Sequence, residues 1–122
     1  MEHYDDERVS PLYFECHITI EPVFDDEFFD GVTVSKLEIV RILAKDRGFR
    51  VADLLMQKRT DDTEARSKHD TFCTGRSKVY GDILHRMTEL CRALKIAGFK
   101  VWRAKIEDTI YDTKYSDSLG IL

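Results

Sequence analysis

A chain of 122 residues holds one domain and can bury a core of its own without a metal or disulfide staple. Its composition, 43% hydrophobic and 34% charged, is globular and excludes an intrinsically disordered chain. The net charge of -4 argues against non-specific DNA or RNA binding, which draws on a basic footprint.

Cys16, Cys73 and Cys91 are odd in number and widely spaced, with no CxxC pair. That pattern gives neither a disulfide framework nor a zinc site, and Cys16 and Cys91 read as small buried hydrophobes. The first ten residues are acidic and polar, unlike a signal peptide, and no apolar run has the length of a membrane span. The expectation is a cytoplasmic protein with no membrane contact, no cofactor and no metal.

Residues 1–11 read as a tail. Leu12 to Pro22 then alternates: Phe14, Cys16, Ile18 and Ile20 share one face, while Tyr13, Glu15, His17, Thr19 and Glu21 share the other. Period two with β-branched residues predicts a strand covered on one side. Phe24 to Val32 is acidic and aromatic and reads as a loop. Ser35 followed by Glu38 matches a capping box, Leu37, Val40 and Leu43 or Ala44 recur at helical spacing, and Gly48 supplies the stop. Phe49 to Lys58 reads as a second strand, and charged, aperiodic Arg59 to Lys68 as an exposed hairpin loop.

His69 to Thr74 reads as a short third strand broken by Gly75. Tyr80, Ile83 or Leu84, Met87, Leu90 or Cys91, Leu94 and Ala97 form a helical stripe that Gly98 ends. Lys100 to Asp108 is the fourth strand, with Trp102, Ala104 and Ile106 on one face and Arg103, Lys105 and Glu107 on the other. Residues 109–122 read as a second tail, whose Leu119 to Leu122 could serve as an edge or interface.

The halves echo each other. Gly48-Phe49-Arg50-Val51 closes the first helix and Gly98-Phe99-Lys100-Val101 the second. Two βαβ units joined by a hairpin predict a single α+β domain of ferredoxin-like βαββαβ type, a four-stranded antiparallel sheet with two helices on one face. The other face is open. By alternation it carries Glu15, His17, Thr19 and Glu21, then Gln57 and Arg59, then His69, Thr71 and Cys73, then Arg103, Lys105 and Glu107.

Two tetrapeptides on central strands could carry chemistry: His17-Ile18-Thr19-Ile20 and His69-Asp70-Thr71-Phe72. Residues two apart in a strand project together, so each aims an imidazole and a hydroxyl to one side. Two imidazoles flanking a phosphodiester can act as base and acid near neutral pH, with threonine hydroxyls donating to phosphate oxygens. Arg59, Arg103 or Lys105 would supply positive charge, and no metal is needed. These motifs resemble those of the 2H phosphoesterases, a superfamily with paired His-x-Thr/Ser motifs on a duplicated α+β fold. The resemblance implies action on cyclic phosphates, RNA ends or cyclic nucleotides, with His17 and His69 as the catalytic pair and Thr19 and Thr71 as phosphate holders. It covers the two tetrapeptides and the coarse architecture, and Asp70 stands where an apolar residue is usual.

Other features have plainer uses. Thr74-Gly75-Arg76-Ser77 precedes the second helix, where Arg76 and Ser77 either bind a phosphate or form a turn with Ser77 as N-cap, the preferred reading. Lys105 and Glu107 read as a solvated pair, with both also candidates for ligand contact. Trp102 reads as a core residue under a helix, His85 as partly exposed, and the Asp25, Asp26, Glu27 and Asp30 cluster as an acidic loop. A neighbouring carboxylate, Glu15 or Glu107, is the expected partner of His17 if the face is not catalytic. Three readings follow for that face: a metal-independent phosphoesterase acting on a phosphate ester or nucleotide, a non-catalytic module binding a nucleotide, anion or protein, and a homodimer interface.

Overall fold

The computed structural model describes residues 10–23, 27–29, 32–55 and 69–122, with backbone alone at 27–29, 32–34, 53–55 and 69–70. In chain order the elements are β1 (Tyr13–Ile20), β2 (Glu27–Phe29), β3 (Val32–Val34), α1 (Lys36–Lys45), β4 (Arg50–Leu55), β5 (His69–Ser77), α2 (Tyr80–Ile96) and β6 (Val101–Thr109). Strands β4, β5, β1 and β6 form, in that spatial order, one antiparallel sheet. This is the expected α+β ferredoxin-like arrangement, with β1 and β5 side by side at its centre. Among the described residues, no helix is long and apolar enough to cross a membrane.

The core lies between the sheet and the helices. Cys16, Ile18 and Ile20 of β1, Cys73 of β5, Val40 and Ala44 of α1, and Ile83, Leu90 and Leu94 of α2 are all buried within it. Each such Ile or Leu contributes roughly 1.5–3 kcal/mol by leaving water. Helix α1 starts as its sequence requires: Ser35 Oγ accepts the Glu38 N–H at 3.2 Å.

Both helices stop by the same device. Gly48 and Gly98 adopt φ of 75° and 94°, a left-handed backbone that a side chain would strain. The next N–H turns back in each case, Phe49 to the Ala44 carbonyl at 2.8 Å and Phe99 to the Leu94 carbonyl at 2.9 Å. Both rings are thereby delivered to the core, 3% and 9% exposed. The Gly-Phe repeat is thus a shared helix stop that also anchors the strand behind it. Arg86 of α2 joins the layers, donating to the carbonyls of Arg47 at 3.0 Å, Gly48 at 2.9 Å and Arg76 at 3.1 Å.

Several expectations are corrected. The segment read as a loop contains β2 and the first residue of β3, which pair antiparallel. Strand β5 runs through Gly75 instead of breaking there. A Cβ at Gly75 would meet the Phe49 ring at 3.0 Å, so this glycine permits a close approach of ring to strand. Ser77 ends β5 rather than capping α2, whose N-cap is Val79; its Oγ accepts the Val79 N–H at 3.1 Å. Trp102 is 36% exposed and outside the core cluster, because the register shifts between Thr19 and Ile20 and β6 is irregular beside it.

Residues beyond β6 form ordered turns. Asp112 accepts the N–H groups of Tyr115 and Ser116 at its carbonyl, 2.9 and 3.1 Å away, and the Asp117 carboxylate accepts those of Ile121 and Leu122. Leu119, Ile121 and Leu122 are exposed and outside any strand.

Candidate functional site

The register decides which side chains share the open face. On β1, burial of Cys16, Ile18 and Ile20 leaves Glu15, His17 and Thr19 on the far side. Directly paired residues point the same way, so Thr74, opposite His17, and Phe72, opposite Thr19, join them from β5. Strand β4 adds Arg50 opposite Thr74 and Ala52 opposite Phe72. Strand β6 adds Lys105 opposite His17 and Arg103 opposite Thr19. The face is therefore built in cross-strand rows: Ala52–Phe72–Thr19–Arg103, then Arg50–Thr74–His17–Lys105, then Arg76–Glu15–Glu107. These rows line most of a cleft of about 730 Å³, with Gly48 and Gly75 completing the lining and Glu107 outside it.

The centre of the cleft is a polar relay. His17 Nε2 lies 2.9 Å from Glu15 Oε1, and Nδ1 lies 3.4 Å from Thr74 Oγ1. With Nε2 donating to the carboxylate, the neutral ring can accept the Thr74 hydroxyl proton at Nδ1. Glu15 Oε2 faces Arg76 Nη2 at 3.7 Å, and the Arg76 guanidinium lies 4.4 Å above the Tyr13 ring. The Tyr13 hydroxyl donates to Asp112 Oδ2 at 2.8 Å, which links the C-terminal segment to the cleft. That bond to the Asp112 carboxylate holds the Tyr13 phenol above its ordinary pKa. The Asp112 carboxyl sits below its ordinary range, first through the Lys114 N–H and then through Tyr13. On β6, Glu107 pairs with Lys105, whose ammonium lowers the Glu107 carboxyl.

Of the residues singled out in sequence, His17, Thr19, Arg76, Arg103, Lys105 and Glu107 stand on this face. Thr71 and Cys73 do not: both are fully buried on the helical side, Cys73 within the core cluster. The reason is register, since Thr71 pairs with Ile20 rather than with Thr19. His69 has the same parity as Thr71 along β5 and pairs with Leu55 of β4; its side chain lies outside the described residues. Gln57 and Arg59 also lie outside them, and the open face of β4 is carried by Arg50 and Ala52 while Val51 packs on the core.

Sequence reasoning missed Arg50, Phe72 and Thr74. The signal that could have found them is Cys73, because cysteine is among the residues most often buried and fixes the parity of its strand. Among the described residues, no three His, Cys, Asp or Glu side chains converge to hold a metal ion. Neither the models of known protein families nor the curated proteins match this chain.

Proposed function

We propose that the open sheet face binds a small phosphate-bearing molecule, a nucleotide or other phosphate ester. The observation that carries this reading is the convergence of Arg50, Arg76, Arg103 and Lys105 on one cleft, in a chain whose net charge is -4. Arg76 and Lys105 have carboxylate partners in Glu15 and Glu107, whereas Arg50 and Arg103 have none among the described residues. Arg50 on β4 and Arg103 on β6 stand at the two sides of the cleft, and their positive charge favours an anion between them. Guanidinium forks match phosphate oxygens, and the Thr19 hydroxyl adds a neutral donor.

This reading is binding rather than two-histidine turnover, because Thr71 of the second motif lies in the core. A hydrolytic reading keeps a single imidazole. It is favoured by the Glu15 carboxylate that orients His17 and by the hydroxyl at its other nitrogen. Calorimetric titration with pyrophosphate, ribose 5-phosphate and AMP tests the binding reading. Saturable binding that weakens by about tenfold or more in the Arg103→Ala/Lys105→Ala protein is expected, as for loss of charge-assisted hydrogen bonds. Arg92→Ala, on the helical side, leaves affinity unchanged. If no phosphate compound binds, the reading is wrong. Turnover of a cyclic phosphodiester that is lost in His17→Ala, with binding retained, would establish the hydrolytic reading.

A further inference from the structure

We infer that the ligand is a mononucleoside phosphate whose base stacks on Phe72. The inference rests on the phosphate-binding reading and specifies it. Phe72 is an aromatic side chain on the side of the sheet that no helix covers, and it belongs neither to the core cluster nor to the residues packed against it. Its direct neighbours in the row are Ala52 and Thr19, both short, so little of either stands above the ring. Among the described residues it makes no ring–ring contact. Phe72 is half-buried, and in a cleft whose other side chains are cations, hydroxyls, an imidazole, a carboxylate and the short Ala52 it is the aromatic carbon ring that offers a stacking surface to a planar base.

The same row supplies the remaining parts in order. Thr19 separates Phe72 from Arg103, each being its direct partner on a neighbouring strand. Two strand spacings therefore lie between ring and guanidinium, roughly 10 Å at the backbone. A base on Phe72 sets its sugar over the Thr19 hydroxyl and its phosphate toward Arg103, with Lys105 two residues along β6. Base, sugar and phosphate thus meet an aromatic ring, a hydroxyl and a cation pair in the sequence in which they are bonded.

Calorimetry on the full chain with AMP, adenosine and ribose 5-phosphate, for the wild type, Phe72→Leu and Phe72→Trp, tests the inference. AMP should bind the wild type at least about tenfold more tightly than ribose 5-phosphate, in keeping with one stacked base. Phe72→Leu should erase that preference while leaving ribose 5-phosphate affinity and the thermal unfolding midpoint unchanged, and Phe72→Trp should keep it. Equal affinities for AMP and ribose 5-phosphate in the wild type, or a preference that survives Phe72→Leu, overturn the inference and leave the phosphate reading standing. Adenosine binding as tightly as AMP, or no binding at all, removes the phosphate reading and this inference with it. A single-stranded oligonucleotide that binds more tightly than AMP through Phe72 overturns the assignment of a free nucleotide.

Discussion

The two halves of the chain carry the same short pattern on neighbouring central strands, yet Thr19 of the first faces a solvent cleft while Thr71 of the second is fully buried. Chemistry at the residue level does not separate them. Pairing does: Thr19 sits opposite Phe72 and Thr71 opposite Ile20, an offset of one residue, and one residue is the whole difference between the faces of a sheet. The helix starts also differ, with a side-chain cap at Ser35 and none at Val79, whereas the helix stops at Gly48 and Gly98 are alike. The glycine stops, set by backbone conformation, repeat between the halves, whereas the helix caps and the strand register do not.

The sharpest way to break this comparison is to put the same charge at both threonines. Thr71→Lys buries an ammonium in the core and should cost ~3 kcal/mol or more in urea unfolding, whereas Thr19→Lys should stay within about 0.5 kcal/mol. Similar costs for the two would show that the motifs occupy equivalent environments after all. Gly75→Ala comes next. Its Cβ would press on the Phe49 ring, so a loss of about 1–3 kcal/mol is expected, while Gly81→Ala, with open space around it, should be neutral or stabilising by up to about 1 kcal/mol. For the helix starts, Ser35→Ala should cost about 1 kcal/mol, a clear loss at a bonded cap, with Ser77→Ala costing less.

The smallest effect concerns pH. The folded Asp112 carboxyl is held below its ordinary range, so its stabilisation is full above that range and is lost as pH falls through the folded value. Asp112→Asn should therefore lower the urea midpoint near neutrality, with the gap to wild type closing in acid. A gap that stays constant with pH would remove the role given to that carboxylate.

The order of the main elements could be read from the sequence because it is written in local signals: alternation in β1 and β6, helical spacing in α2, and glycine stops. The open faces of β1 and β6 were legible for the same reason. Strand β5 was not, since Thr71-Cys73-Gly75 and Phe72-Thr74-Arg76 both mix small and polar residues, and reading Cys73 as exposed reversed the strand. Strand β4 is nearly as ambiguous, and Arg50 was absorbed into the Gly-Phe repeat rather than seen as a cleft residue. The β2–β3 pairing was hidden by acidic composition, although an Asp-Gly dipeptide between apolar residues is a sequence signal for a hairpin. The relay of Glu15, His17 and Thr74 was half visible, because Glu15 was expected as a partner of His17 while Thr74 comes from a strand whose parity had to be known first.

Arg86 gives the cleft a dependence on the opposite side of the molecule. One guanidinium reaches the backbone of the turn after α1 at Arg47 and Gly48 and the backbone of β5 at Arg76, and both Gly48 and Arg76 line the cleft. Helix α2 thus ties the turn that leads into β4 to the end of β5 from behind the sheet. Loss of that guanidinium would leave three backbone carbonyls at the edge of the cleft without a side-chain donor.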